Sequence, residues 1–210
     1  MSFELPRLYP LTDAALSGLS HAEQVERLIA GGATLIQLRE KDLSPMEFYR
    51  QAKAALRVAR PRGVRIIIND RVDLALALGA DGVHLGQDDL PPDAARKLLG
   101  KNAIIGLSTH NADQARQAVT FPVNYLAIGP VFSTATKRDT AREVGLEGIR
   151  TVRSAVGAMP LVAIGGITEA NARQVIGAGA DAVALISALL SRPEETIIRT
   201  HLMFQTLTTG

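Results

Sequence analysis

Short apolar runs alternate with amphipathic stretches from one end of the chain to the other, and the alternation predicts eight strand–helix units. The predicted strands are Leu8–Leu11, Ala33–Leu38, Arg65–Ile68, Gly82–Leu85, Ala103–Leu107, Asn124–Ile128, Leu161–Ile164 and Asp181–Ile186. Between them lie helical patterns at His21–Ala30, Ser44 to about Arg60, Val72–Leu78, Pro92–Leu99, Asn111–Val119, Leu146–Val156 and Glu169–Ile176, and the chain after Ile186 is mostly helical. Local punctuation supports these bounds. Gly31, Gly79, Gly100 and Gly157 follow helices, and Pro61 stops another. Ser44-Pro45 has the form of an N-cap followed by proline, and Glu47 is placed to complete a capping box. Gly79-Ala80-Asp81 and Gly179-Ala180-Asp181 echo each other, each closing a helix and opening a strand, which reads as shared turn chemistry.

Strict alternation of short strands and helices implies a parallel sheet with helices outside, and eight units in 210 residues imply a (β/α)8 TIM barrel in one domain spanning 1–210. A doubly wound open sheet is the rival, but the first βα turn, Thr12-Asp13-Ala14-Ala15, lacks the glycine pattern of that fold. In a barrel the chemistry collects at the carboxyl ends of the strands. One such end stands out. Tyr125–Ile128 runs into Gly129-Pro130-Val131-Phe132-Ser133-Thr134-Ala135-Thr136-Lys137, and apolar periodicity does not return until Leu146. A loop of that length is either functional or plain surface.

The other strand ends separate these options. Gln37, Arg39 and Lys41 share one strand face above Leu35, while Ile36 and Leu38 face the helices. Two cations and an amide at the mouth call for an anion, or for ion pairs with Glu40, Asp42 or a neighbouring strand. Asp70 and Asp89 follow adjacent strands. Each could cap a helix, or the two could meet as ligands of Mg²⁺, which takes one or two carboxylates plus phosphate oxygens. His84 has no ligand-spaced partner and is read as packing or hydrogen-bonding within the barrel. Ser108 sits at a strand tip, and Asn111 is read as a helix cap. Gly165-Gly166 after the seventh strand and Ser187 after the eighth occupy the recurrent phosphate site of these barrels. The tally is two anion sites with the long loop between them.

Composition narrows the partners. With 23 basic and 21 acidic residues the net charge is +2, which gives no global drive toward nucleic acid. There is no tryptophan, so stacking platforms for single strands are not expected. No apolar run approaches the roughly 18 residues of a membrane span, and the N-terminal residues do not read as a secretory signal. The absence of cysteine excludes disulfides and thiolate metal sites and fits a reducing cytoplasm.

Six blocks together resemble the motif series of thiamine phosphate synthases: Gln37–Lys41, Asn69–Arg71, His84–Asp89, Gly129–Lys137, Val144–Gly148 and Ala163–Ile167. The resemblance implies a (β/α)8 barrel that joins a hydroxymethylpyrimidine diphosphate to a thiazole phosphate, releasing diphosphate. It implies that Gln37, Leu38, Arg39, Glu40 and Lys41, with Asn69 and Lys137, hold the pyrimidine diphosphate, and that Ser108 contacts the pyrimidine. By the same resemblance Asp70 and Asp89 are Mg²⁺ ligands. Thr134, Ala135 and Thr136 contact the thiazole phosphate, and Gly166, Ile186 and Ser187 cradle it. The family's reaction is a dissociative displacement, so Arg39, Lys41, Lys137 and Ser108 are expected to carry catalysis by stabilising the leaving group and orienting the ring. The implied partners are small-molecule substrates, without nucleic acid or membrane, and a homodimer is compatible with the sequence. Two alternatives share the barrel: a thiazole tautomerase-like isomerase with His110 as acid–base, and a non-catalytic phosphate-ligand sensor.

Overall fold

The computed structural model describes residues 3–134 and 142–208. Among these, eight strands form one parallel sheet: β1 (Leu8–Pro10), β2 (Leu35–Leu38), β3 (Arg65–Asn69), β4 (Gly82–Leu85), β5 (Ile104–Thr109), β6 (Tyr125–Ile128), β7 (Leu161–Ile164) and β8 (Ala182–Leu185). β1 pairs with β8, and the sheet runs in sequence order back to β2. The seam between β1 and β2 closes through a single parallel bridge, Leu11 to Gln37, where the Thr12 N–H donates to the Gln37 carbonyl at 2.9 Å. The protein is a (β/α)8 barrel.

The helices are α1 (Ala14–Ser17), α2 (His21–Ala30), α3 (Pro45–Ala59), α4 (Val72–Leu78), α5 (Pro92–Leu99), α6 (Ala112–Ala118), α7 (Gly145–Val156), α8 (Glu169–Gly177), α9 (Ser187–Leu190) and α10 (Thr196–Thr208). Strand residues divide between two cores. Ile36, Leu38, Ile66, Ile68 and Val83 pack outward under the helices, whereas Tyr9, Leu11, Leu35, Ile67, Tyr125 and Val162 fill the barrel. The period-2 alternation of β2 therefore sends Gln37 inward and Leu38 outward.

Several expectations shift. The short helix α1 was not expected; Asp13 caps it by accepting from the Leu16 N–H at 3.0 Å. Ser44 caps α3 through the Glu47 N–H, but the expected capping box is only half made, because the Glu47 carboxylate turns to Arg50 at 3.7 Å. A full box forms instead between Ser20 and Glu23 at α2. Neither Asp70 nor Asp89 caps a helix: the residues preceding α4 and α5, Arg71 and Pro91, make no side-chain cap. Asn111 does cap α6, accepting from Gln114 N–H at 2.9 Å. The repeated Gly-Ala-Asp has one physical role in both places. Asp81 brackets Ile66 and Asp181 brackets Leu161, each taking the strand residue's N–H on its carboxylate at 2.8 Å and returning its own N–H to the carbonyl.

Candidate functional site

A cavity of about 350 Å³ opens at the carboxyl ends of the strands. Gln37, Arg39, Lys41, Asn69, Asp70, Asp89, Ser108, Thr134, Gly166, Ile186 and Ser187 all line it. Leu38 does not, because its side chain is wholly buried under the helices. Glu40 does not line it either. Ala135, Thr136 and Lys137 lie outside the described residues, as do the first four residues of the stretch Arg138–Glu143.

The cations leaving β2 are held by carboxylates from neighbouring loops. Arg39 Nη1 donates to Asp13 Oδ2 at 2.8 Å, and Lys41 Nζ to Asp70 Oδ2 at 2.5 Å. Glu40 shapes the turn between them. Its Oε1 accepts the N–H groups of Lys41, Asp42 and Leu43 at 2.8, 2.8 and 3.2 Å. Its Oε2 faces His21 Nε2 at 3.2 Å, and His21 Nδ1 lies 2.7 Å from Thr12 Oγ1. The carboxylate needs a donor, so Nε2 carries the proton and Thr12 donates to Nδ1. Thr12 Oγ1 in turn accepts the Arg39 N–H at 3.2 Å. Thus His21, wholly buried in α2, ties β1 to the cationic turn.

Burial lowers the His21 pKa, and the Glu40 hydrogen bond and charge only partly offset it. The folded protein keeps this imidazole neutral where the unfolded chain protonates it. Stability is therefore lost as pH falls through about 6.5, since the unfolded state then binds more protons. Glu40 adds to the loss at lower pH. Burial raises its pKa, but its hydrogen bonds to the 42 and 43 amides, His21 and the 41 amide lower it further, and the net direction is down. Calorimetry at pH 7.5 and 5.5 should show a fall in Tm that His21→Gln flattens; an equal fall in both proteins would place the sensitivity elsewhere.

Asp70 sits in a strained turn. Its φ is 60°, and the Arg71 N–H donates to the Asn69 carbonyl at 2.7 Å across it. The turn carries the Asp70 carboxylate over the mouth toward Asp89, whose Oδ2 accepts the Gly86 N–H at 2.7 Å. Burial, and the adjacent Asp70 carboxylate, raise the Asp89 pKa against the pull of the Gly86 amide and Lys41. Two carboxylates crowded together at a cationic mouth are a donor set that Mg²⁺ would relieve. Among the described residues no third acidic or histidine side chain joins them. That suits a cation completing its shell with phosphate oxygens and water.

Across the barrel, Ser108 Oγ lies 2.9 Å from His84 Nε2, and His84 Nδ1 lies 3.0 Å from Tyr125 Oη. Tyr125 and Tyr9 hydroxyls meet at 2.9 Å, and Gln37 Nε2 donates to Tyr9 Oη at 3.0 Å. Among the described residues Gln37 Oε1 is buried without a partner. His110 turns its Nδ1–H to the Gly129 carbonyl at 2.7 Å.

At β7 the chain needs its paired glycines. Gly165 and Gly166 have φ of 105° and 63°. The loop after β6 lies directly against them, with Val131 and Phe132 N–H groups donating to Ile164 and Gly165 carbonyls at 2.9 and 3.0 Å. A methyl group on Gly166 would come within 2.5 Å of the Ser133 carbonyl oxygen and 2.7 Å of Phe132 Cβ. The far end of the loop returns to its start: Val144 and Gly145 N–H groups donate to the Pro130 and Val131 carbonyls at 2.9 and 3.0 Å. The loop noted in the sequence is therefore pinned at both ends beside the paired glycines.

Sequence reasoning missed Asp13, Thr12 and His21, and gave no role to the two tyrosines. Asp13 reads as a turn residue, and the spacing of 26 residues to Arg39 carries no local signal. The tyrosines lie 116 residues apart.

A sequence profile described as thiamine monophosphate synthase matches residues 8–189. A thiamine-phosphate synthase of Chloroflexus aurantiacus is 49% identical over 191 residues, covering 90% of this chain and 88% of its own. One from Clostridium novyi is 44% identical over 189 residues, covering 90% and 92%. Among solved structures, thiamine phosphate pyrophosphorylase from Pyrococcus furiosus superposes with a TM-score of 0.86 at 37% identity, covering 96% of this chain and 95% of that one. The chain belongs to the thiamine monophosphate synthase family and is a transferase that forms thiamine phosphate.

Proposed function

We propose that this barrel, as one domain spanning residues 1–210, condenses 4-amino-2-methyl-5-(diphosphooxymethyl)pyrimidine with a thiazole phosphate, carboxylated or not, releasing diphosphate. The observation that carries the reading is the pairing of Asp70 and Asp89 beside Lys41 and Arg39 at one edge of the mouth, with the glycine cradle at another. Asp70 and Asp89 would hold Mg²⁺, which when bound supplies positive charge against the departing diphosphate. Arg39 and Lys41 bind the same diphosphate, and their present carboxylate partners keep them extended toward the mouth. Lys137, outside the described residues, is assigned to this group by resemblance.

Departure of diphosphate leaves a pyrimidinylmethyl cation that the ring itself stabilises. No strong protein base is then needed, only charge stabilisation, exclusion of water and a held nucleophile. Ser108 and Gln37 orient the ring. Gly166, Ile186 and Ser187, with Thr134 and the outlying Ala135 and Thr136, hold the thiazole phosphate so that its nitrogen faces the cation. We place the reaction in the cytoplasm, on free small molecules. Among the described residues no helix is long and apolar enough to cross a membrane.

The direct test is diphosphate release by the purified protein with both substrates, with and without Mg²⁺. Metal-dependent release that requires both substrates is expected. Turnover of a thiazole alone without diphosphate chemistry would favour the isomerase, and binding without turnover the sensor.

A further inference from the structure

Gln37, Tyr9, Tyr125, His84 and Ser108 form one unbroken row of hydrogen bonds across the floor of the cavity, with contacts of 3.0, 2.9, 3.0 and 2.9 Å. The two end groups line the cavity from β2 and β5, and so do Tyr9 and His84 between them. The row is built into the barrel. Tyr9 and Tyr125 are buried, their rings meet edge to face at 5.8 Å, and His84 stacks on Tyr125 at 5.5 Å. Gly106 leaves the room: any Cβ there would collide with the Tyr125 hydroxyl end and with His84 Nδ1.

Such a row obeys proton arithmetic. Each phenol has one hydrogen, and a neutral imidazole has one N–H. Burial raises both phenol pKa values, so both hydroxyls stay protonated. Four links need four hydrogens, and the three middle groups supply three. One end must donate into the row, and the other must receive. In the structure Gln37 donates, so Tyr9 donates to Tyr125, Tyr125 to His84 Nδ1, and His84 Nε2–H to Ser108. Ser108 then has its own hydrogen to give to the cavity. Gln37 has its amide oxygen, buried without a partner among the described residues, to receive with.

We propose that Tyr9, Tyr125 and His84 are positioning residues whose relay sets Gln37 as acceptor and Ser108 as donor toward the pyrimidine. An aminopyrimidine matches that polarity, since its amino group donates and its ring nitrogens accept. A 4-oxo analogue, with a carbonyl and a ring N–H, has the opposite polarity: its carbonyl would face the Gln37 oxygen, and its N–H would meet the hydrogen that Ser108 turns to the cavity unless that hydroxyl rotates away. The inference rests on the aminopyrimidine reading of the site and adds how the ring is selected.

Two measurements test it. The first needs no turnover. With four histidines in the chain, ¹⁵N imidazole spectra of the free protein can be assigned, and His84 is expected as the Nε2–H tautomer. The Nδ1–H tautomer would overturn the relay direction. The second compares the amino and 4-oxo pyrimidine diphosphates. Tyr125→Phe keeps the ring and cuts the row, so the preference for the amino substrate should fall about tenfold, the worth of one net hydrogen bond. KM for the thiazole phosphate should stay within about twofold. Tyr9→Phe, which cuts the row between Gln37 and Tyr125, serves as the second cut should Tyr125→Phe fold poorly. An unchanged preference in either folded variant would overturn the proposal. Failure of the wild-type protein to use the amino substrate would instead defeat the aminopyrimidine reading and leave the tautomer result standing.

Discussion

Asp89→Asn should lower kcat by about 10²- to 10³-fold and shift the Mg²⁺ requirement upward by tenfold or more. A catalytic metal supplies several kcal/mol of charge stabilisation, and each 1.4 kcal/mol is a factor of ten. Asparagine isolates that effect. It keeps an oxygen to accept the Gly86 N–H, so the turn after β4 survives, while the charge is gone. Stability should move the other way. The raised Asp89 pKa means that ionising this group costs more in the folded chain than in the unfolded one. Removing the charge therefore leaves Tm in metal-free buffer unchanged or higher. Rates of diphosphate release against Mg²⁺ concentration, with calorimetry beside them, measure both. A variant with full rate and an unaltered metal titration would take Asp89 out of the site.

Gly166→Ala should raise KM for the thiazole phosphate by about 10²-fold and lower Tm by roughly 5–15 °C. The position has φ 63°, where a side chain is strained at about 1 kcal/mol or more. The methyl group would also meet backbone: the Ser133 oxygen at 2.5 Å and the Phe132 carbonyl carbon at 2.9 Å. That backbone is fastened to β7 by the Val131 and Phe132 N–H groups and cannot yield as a flexible side chain would. Overpacking of this kind costs a further ~1–3 kcal/mol, and each kcal/mol moves Tm by about 2–4 °C in a chain of this size. Either the cradle turns its amide away or the loop lifts, and both lose charge-assisted hydrogen bonds to a phosphate, worth ~1.5–3 kcal/mol each. Affinity for the pyrimidine diphosphate, which we propose binds at the other edge of the mouth, should change less than about threefold. Steady-state kinetics with each substrate varied in turn separates the two. An unchanged KM for the thiazole phosphate in a folded variant would remove Gly166 from the cradle.

These substitutions act on residues that the sequence already marked, and the reason is physical. The period of two in β2 sends Gln37 and Arg39 to one face whatever surrounds them, and parallel strands bring all their carboxyl ends to one rim. Paired glycines after a strand announce backbone that must adopt positive φ or lie close to other atoms. Each signal is local, or follows from topology once the eight units are counted. The half-made capping box at α3 shows the limit of local rules: Glu47 has the right spacing, yet Arg50 on the next turn competes for its carboxylate.

The long loop after β6 was legible as a feature but not as a role. Composition showed a polar stretch between Ile128 and Leu146. Its docking against Gly165 and Gly166, and the return of Val144 and Gly145 to its stem, depend on contacts between separate strands. The partners of the cations were likewise undecided. Asp13 and Asp70 are 26 and 29 residues from the cations they hold, and only the closing of β1 onto β2 and of β2 onto β3 makes them neighbours.

By itself the sequence determined the barrel, the rim residues and the family resemblance, because alternation, chain order and residue type are properties of neighbours along the chain. The tertiary structure decided the strained Asp70 turn, the His21–Glu40 tie and the meeting of the two buried tyrosine hydroxyls. Those follow from which hydrogen-bonding groups meet inside a closed barrel, where each proton can be shared in only one direction at a time.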